Sequence, residues 1–354
     1  MRRLLAFALL VCAWPCHALE PLPPVLMDEP RTYRIEVLQV TDIAPFEESL
    51  DGFLRALRDN GIAAGDNLVV NRVKIDFDVE NGGFWDRLGV LRRIKAEALR
   101  IAESRPDLVL TIGTPATRYA RDILDDARIP VVFTAVADPA SAGCTSLSDA
   151  GPGVTGATLY TDMADSLKVL RTLFPAVSRI GMVHTDDENG IAHVRTARAT
   201  AGGMGIAVSS RRVGKGEGIV PALKQLFEEG SGAEMFAVPL DAYYGLRGHE
   251  PARDLGDFAA EHRLPVVSFA LVRVPGAVLY VGADFAEVGR LSGLQAVKVL
   301  KRRMKPDVLP IARQEQPMVL IDPDRLAALK LPLPESVLAR KAARSDGFWE
   351  LVAP

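Results

Sequence analysis

Apolar and polar positions along the chain switch repeatedly between a period near two and a period near 3.6, which predicts strands separated by helices. Residues 33–40 read as a first strand. Residues 46–60 carry Phe46, Leu50, Phe53, Leu54 and Leu57 on one helical face, and Gly61 stands past the end as a stop. A valine-rich stretch at 67–76 predicts the second strand, and 88–104 the second helix. Residues 107–113 form a continuous apolar run of the kind that parallel sheets bury on both faces. A helix at 116–127 and a strand at 129–136 follow. The rhythm restarts after Gly156, with helices at 163–173, 189–204, 218–229 and 251–262. They alternate with strands at 179–184, 206–213, 234–240, 264–269 and 278–282, before a long helix at 285–304. Repeated strand–helix units imply parallel sheets, and two such series imply an α/β chain of two Rossmann-like lobes.

Open parallel sheets bind ligands beyond the carboxyl ends of their strands. Those ends carry Thr41-Asp42, then Gly113-Thr114-Pro115-Ala116, then Ala135 and Asp138-Pro139. In the second series they carry Asp186-Asp187-Glu188, then Asp241 with Tyr243 and Tyr244, then Ser268-Phe269. Threonine favours the N-cap and proline the first helical position, so Thr114-Pro115 predicts a helix start whose free N–H groups suit a carboxylate. The alternative is that Thr114 only caps its own helix. Asp138 either holds a ligand ammonium or hydroxyl, or caps the turn made by Pro139. Tyr243 and Tyr244 offer a hydrogen-bonding and stacking wall, or else pack a loop. Glu188 and its acidic neighbours match no EF-hand spacing.

The ends of the chain change the picture. Arg2-Arg3, an apolar run through Trp14, and Cys16-His17-Ala18 have the three parts of a secretory leader, with cleavage expected after Ala18. The run is too short to span a bilayer, which takes roughly 20 residues. Pro21, Pro23, Pro24 and Pro30 make 19–31 an extended lead-in. Roughly 335 residues then remain, enough for two lobes. Only Cys144 survives cleavage, so an internal disulfide is excluded. The formal net charge of −3 and pI near 6.0 provide no basic face for nucleic acid or anionic lipid. There is no G-x-S-x-G elbow, no H-E-x-x-H and no Walker loop, and the five histidines are scattered, so neither catalysis nor a metal or cofactor is expected. The expected place is the periplasm, as a monomer.

Several of these segments resemble a known family. Residues 106–109 into Ile112-Gly113-Thr114-Pro115-Ala116, residues 129–139, Pro152–Gly156, Ala283–Arg290 and residues 329–340 are similar to the ABC transporter substrate-binding proteins of the TrpX type, periplasmic binding proteins of the type I fold. The resemblance implies lobes joined by three chain crossings, one at 31–155 plus 270–312 and the other at 156–269 plus 313–340, with 341–354 as a tail. It implies ligand contacts at Thr114, Ala116, Asp138, Glu188 and Asp241, an aromatic amino acid or related small molecule as ligand, and an ABC permease as partner. A sensing subunit of a membrane signalling system is the alternative role. The chain departs from the family at Thr185–Ile191, at Ala242 and at Phe269-Ala270-Leu271, where polar or acidic residues are usual, and this leaves a less cationic or more apolar ligand open.

Overall fold

The structure, a computed structural model, describes residues 31–75, 84–228 and 232–351, with the side chains of 84–87 left aside. The expected leader, and the lead-in up to Pro30, lie outside the described residues.

The chain runs through β1 (Tyr33–Val40), α1 (Ala44–Asp59), β2 (Leu68–Ile75), α2 (Phe84–Ser104), β3 (Leu108–Ile112), α3 (Thr114–Asp126), β4 (Val131–Val136) and β5 (Val154–Thr158). It continues with α4 (Met163–Leu173), β6 (Arg179–His184), α5 (Glu188–Ala201), β7 (Ala207–Arg212), α6 (Val220–Glu228), β8 (Met235–Val238), α7 (Leu246–Glu261), β9 (Val266–Ser268) and β10 (Leu279–Gly282). It ends with α8 (Phe285–Leu300), β11 (Ala312–Arg313), β12 (Met318–Ile321), α9 (Pro323–Ala328), α10 (Glu335–Leu338), β13 (Lys341–Ala343) and β14 (Trp349–Leu351).

These strands make two sheets. The first has the order β11-β5-β4-β3-β1-β2 and is parallel throughout. The second has the order β13-β14-β12-β10-β9-β8-β6-β7. It is parallel from β7 to β10 and antiparallel from β12 outward. Both faces of β3 and β4 are covered, which is why neither strand alternates: every residue in them is buried. Leu50, Phe53 and Leu57 of α1 pack with Phe285 and Ala296 of α8 on one face of the first sheet. Ile94 and Ile101 of α2 and Ala120 and Leu124 of α3 cover the other. In the second sheet α4 and α5 supply Leu167, Leu170 and Val194 to one core, and α6 and α7 supply Leu223 and Leu255 to the opposite one.

The chain changes sheet three times: between β5 and α4, between β10 and α8, and between β11 and β12. The second change falls later than the expected boundary at 270. Val267 pairs with Leu279, which keeps β10 in the second sheet, and the crossing waits for Ala283-Asp284, where Asp284 caps α8 by accepting from the Glu287 N–H. Residues 341–351 are not a tail. They form β13 and β14, and Trp349 pairs with Ile321 at the edge of the second sheet. Their short strands carry too few alternations to stand out from loop sequence.

α1 and α8 approach so closely that glycine is required at the crossing. A Cβ on Gly289 would overlap the Ser49 carbonyl, and one on Gly52 would overlap the Ala286 carbonyl. The Ser49 hydroxyl donates to the Phe285 carbonyl at 2.9 Å across the same contact.

Candidate functional site

In each sheet the strand order reverses next to the first strand of its series, between β1 and β3 in one and between β6 and β8 in the other. These are the switch points where parallel sheets open a crevice for ligands. The expected site residues at 41–42, 114–116, 185–188 and 241 all follow these strands. One contact and the reach of one charge show that the crevices face one another. Arg118 of α3 reaches Glu188 of α5 at 3.4 Å, and the Asp138 carboxylate acts on His193 of α5.

On the first wall, Gly113 and not Thr114 is the N-cap of α3. Its φ of 86° and ψ of 163° belong to a region open only to glycine, and Pro115 sits in the first turn. Thr114 is therefore already helical, buried to 9% exposure, and its hydroxyl has no protein partner among the described residues. Pro115 is exposed, whereas the Ala116 methyl is buried among Leu124, Ile129 and Phe133. So the Ala116 side chain is committed to the core. Thr117 continues the wall by donating to the Gly113 carbonyl at 2.9 Å. Ala135 holds φ at 54°, an unusual value for a residue with a Cβ. Asp138 caps its own turn, accepting from the Ala140 N–H at 3.2 Å and the Ser141 hydroxyl at 2.7 Å, yet its charge still reaches across to His193.

Asp42 departs from expectation. Its carboxylate is held by Lys74 at 2.7 Å, in a surface network with Glu47 and Arg72. The Arg72 guanidinium lowers the Glu47 carboxyl to about 2. Thr41, with φ of 73°, turns the chain there and is partly buried. The side chain of Asp42 is thus committed to β2 and not to the cleft.

The second wall is built on Asp241. Its carboxylate accepts from the Thr185 N–H at 2.7 Å, the Thr185 hydroxyl at 3.0 Å and the Tyr243 N–H at 2.9 Å. That joins the loop after β6 to the loop after β8. Gly190 is required beside it, since a Cβ there would lie 2.5 Å from a carboxylate oxygen of Asp241. Asp187 caps α5 by accepting from the N–H groups of Asn189 and Gly190. Burial, and then the neighbouring charge of Asp241, push the Asp187 carboxyl up. Glu188 is exposed and pairs with Arg118.

The wall expected from Tyr243 and Tyr244, and the contact expected from Phe269, are not there. A short turn at Ala242–Gly245 points both tyrosines inward. The Tyr243 hydroxyl donates to the Glu217 carbonyl at 2.7 Å and the Tyr244 hydroxyl to the Val183 carbonyl at 2.8 Å. Phe269 packs in the core with Val267 and Met163. Burial of large rings outweighs their display at a loop, because each removes more than about 100 Å² of apolar surface from water, roughly 2–3 kcal/mol.

Sequence reasoning passed over Arg118, Asn189 and His193. They belong to the first turns of α3 and α5 or to the turn that follows, and reading those helices four residues beyond their starts finds them. The His193 Nδ1 accepts the Leu240 N–H at 3.2 Å, which places its proton on Nε2. Enclosure between the walls lowers this imidazole to about 4, against a smaller upward pull from Asp138. Above pH 6.5 the ring is neutral both folded and unfolded. Between pH 6.5 and about 4 only the unfolded chain takes up the proton, so stability falls as the pH falls across that window. The loss should total about 2 kcal/mol, below the full linkage value, because the ring keeps some contact with solvent. Urea midpoints of the wild type and of His193→Gln, measured from pH 7 to 4, check this: the difference between them should narrow as the pH falls.

The sequence profile of the ABC transporter substrate binding proteins matches residues 34–344. The chain belongs to that family. It is 25% identical over 307 residues to the tyrosine-binding protein of Clostridioides difficile, covering 86% of this chain and 83% of that protein. Its fold is similar to a ligand-free, open substrate binding protein with adhesive properties from Clostridium difficile, with a TM-score of 0.69, 22% identity, and 86% and 96% of the two chains covered. It is equally similar to a domain from Streptococcus pneumonia in complex with L-Trp, with a TM-score of 0.70, 21% identity and coverage of 87% and 98%. The two-lobed α/β architecture is that of the type I periplasmic binding proteins. The chain is a substrate-binding protein that captures a small molecule for an ABC transporter, and its relatives are binding proteins. Among the described residues no helix is long and apolar enough to cross a membrane.

Proposed function

We propose that the mature protein is an exported, monomeric solute receptor. It takes an amino acid into the cleft between the two sheets, closes on it, performs no chemistry, and hands it to an inner-membrane permease. The observation that carries this reading is the meeting of two switch-point walls across Arg118 and Glu188. One wall offers the start of α3, a natural seat for a carboxylate; the other offers carboxylates and an amide, which suit an ammonium. The α-amino acids carry both groups close together. The relatives support the class: one is named for tyrosine, one structure holds L-Trp, and a more distant one, with a TM-score of 0.59, holds Leu. Leader-like residues 1–18 support export to the periplasm.

The contacts that differ between an open and a closed state set how far a ligand shifts the balance between them. Here the closing contacts are weak. Arg118 and Glu188 are 44% and 64% exposed, and an exposed pair contributes less than about 1 kcal/mol. Bound solute, not lobe–lobe attraction, should therefore supply most of the closed state's stability. Calorimetric titration with the L-amino acids tests the reading. A stoichiometry of one and a rise in melting temperature are expected for at least one of tyrosine, tryptophan and leucine.

A further inference from the structure

Within the second wall one buried polar atom has no partner. The side-chain oxygen of Asn189 is shut off from water and accepts no hydrogen bond. Buried polar atoms in folded chains are nearly always paired, and leaving one unpaired costs about as much as losing a hydrogen bond. Among the described residues Thr134 is the other such case, but it is fully enclosed within β4. Asn189 differs because it stands in the first turn of α5, one turn before His193 on the same helical face. That face looks toward the Leu240 N–H and the Asp138 carboxylate across the cleft.

Its surroundings are short of donors. Asp187 next to it already takes the free N–H groups of the turn, and Asp241 takes those of Thr185 and Tyr243. Arg118 is engaged with the exposed Glu188. The Lys215 charge acts on Asp187, and the Asn189 oxygen is left without a donor.

Building on the amino-acid reading above, we propose that the Asn189 side-chain oxygen receives the ammonium group of the bound solute, and that Asn189 sets the requirement for an amine. The adjacent Asp187 and Asp241 carboxylates add the negative potential that favours a cation there over a neutral amide. A hydrogen bond to a charged group then replaces an unmet one, and removing it should cost at least about tenfold in affinity.

The test uses the full mature chain and calorimetric titration with whichever of L-tryptophan, L-tyrosine and L-leucine binds the wild type most tightly. The same amino acid lacking its amine serves as the second probe. Asn189→Ala should weaken the amine-bearing probe about tenfold or more and leave the deaminated probe within about twofold. Its ligand-free melting temperature should be unchanged or higher, since an unpaired buried oxygen has been removed. Asn189→Asp keeps the acceptor and should keep the amine-bearing probe within about threefold of wild type. The inference is overturned if Asn189→Ala binds the amine-bearing probe like wild type, or if both probes weaken equally. If the wild type binds none of the three amino acids, the ligand class falls first and this inference with it.

Discussion

Replacing Asp241 by alanine should destabilise the protein by about 3 kcal/mol and abolish solute binding. Three donors lose their acceptor at once: the Thr185 N–H, the Thr185 hydroxyl and the Tyr243 N–H. Asp241 is 8% exposed, so water reaches the site poorly, and each unmet buried donor costs roughly 1–3 kcal/mol. The low end of that range applies because the cavity left by the carboxylate can admit a water to some of them. Asp241→Asn would rescue little, since its amide nitrogen would face an N–H. Binding should fail because the loop from Thr185 to Gly190 would lose its tie to the loop after β8. Asp187 should also ionise more readily, having lost the neighbouring charge that helps raise it. Urea denaturation of the variant checks the stability, and titration checks the binding. A variant as stable as wild type would show that the second wall does not depend on this carboxylate.

Gly289→Ala should be destabilising by about 3 kcal/mol or more, although alanine is the better helix former. Propensity alone would favour alanine by about 1 kcal/mol inside α8. The added methyl would overlap the Ser49 carbonyl, and backbone cannot move aside as a side chain can. Overpacking of this kind typically costs about 1–3 kcal/mol even when side chains yield, so the steric effect exceeds the propensity. Gly89 in α2 supplies the control, because a Cβ there meets nothing within 4 Å. Gly89→Ala should instead raise stability by up to about 1 kcal/mol. Thermal unfolding of the two variants gives opposite signs if the α1–α8 contact is as close as described. Because α8 follows the crossing at Ala283-Asp284, loosening it would also loosen the junction between the sheets.

Most of the architecture was legible from periodicity. Buried parallel strands such as β3 and β4 are short continuous apolar runs, and amphipathic helices such as α1 carry one apolar stripe. The edge strands were not legible. β11 has two residues and β13 and β14 have three each, too few to show an alternation, and they form because β5 and β12 leave unpaired edges. The site was legible as positions but less as roles. Thr114, Glu188 and Asp241 follow the strands that border the switch points, and Asp138 follows β4, one strand further out. Which of them face the cleft depends on side-chain direction, which spacing does not encode. Tyr243 and Phe269 turned inward for burial, and Asp42 turned to Lys74. Arg118 and His193 were hidden because a polar residue one turn into a helix looks, in sequence, like any solvated position. Gly190 looked like part of a loop and proved to be the space in which the Asp241 carboxylate sits.

The departure at Ala242 also changes meaning. A polar side chain is absent there, but Asp241 is already engaged by Thr185 from the loop after β6 and by Tyr243 from its own loop, and the neighbouring Asn189 oxygen is an unpaired acceptor. The second wall is therefore polar in a different place, which supports the proposed ammonium-bearing solute.

Capture of an amino acid by closure of two walls has a direct physical signature. Small-angle scattering of the mature chain, with and without saturating amounts of each L-amino acid, tests it most directly. At least one amino acid should decrease the radius of gyration and raise the melting temperature together, with both effects lost in Asp241→Ala. No change in either quantity with any amino acid would contradict it.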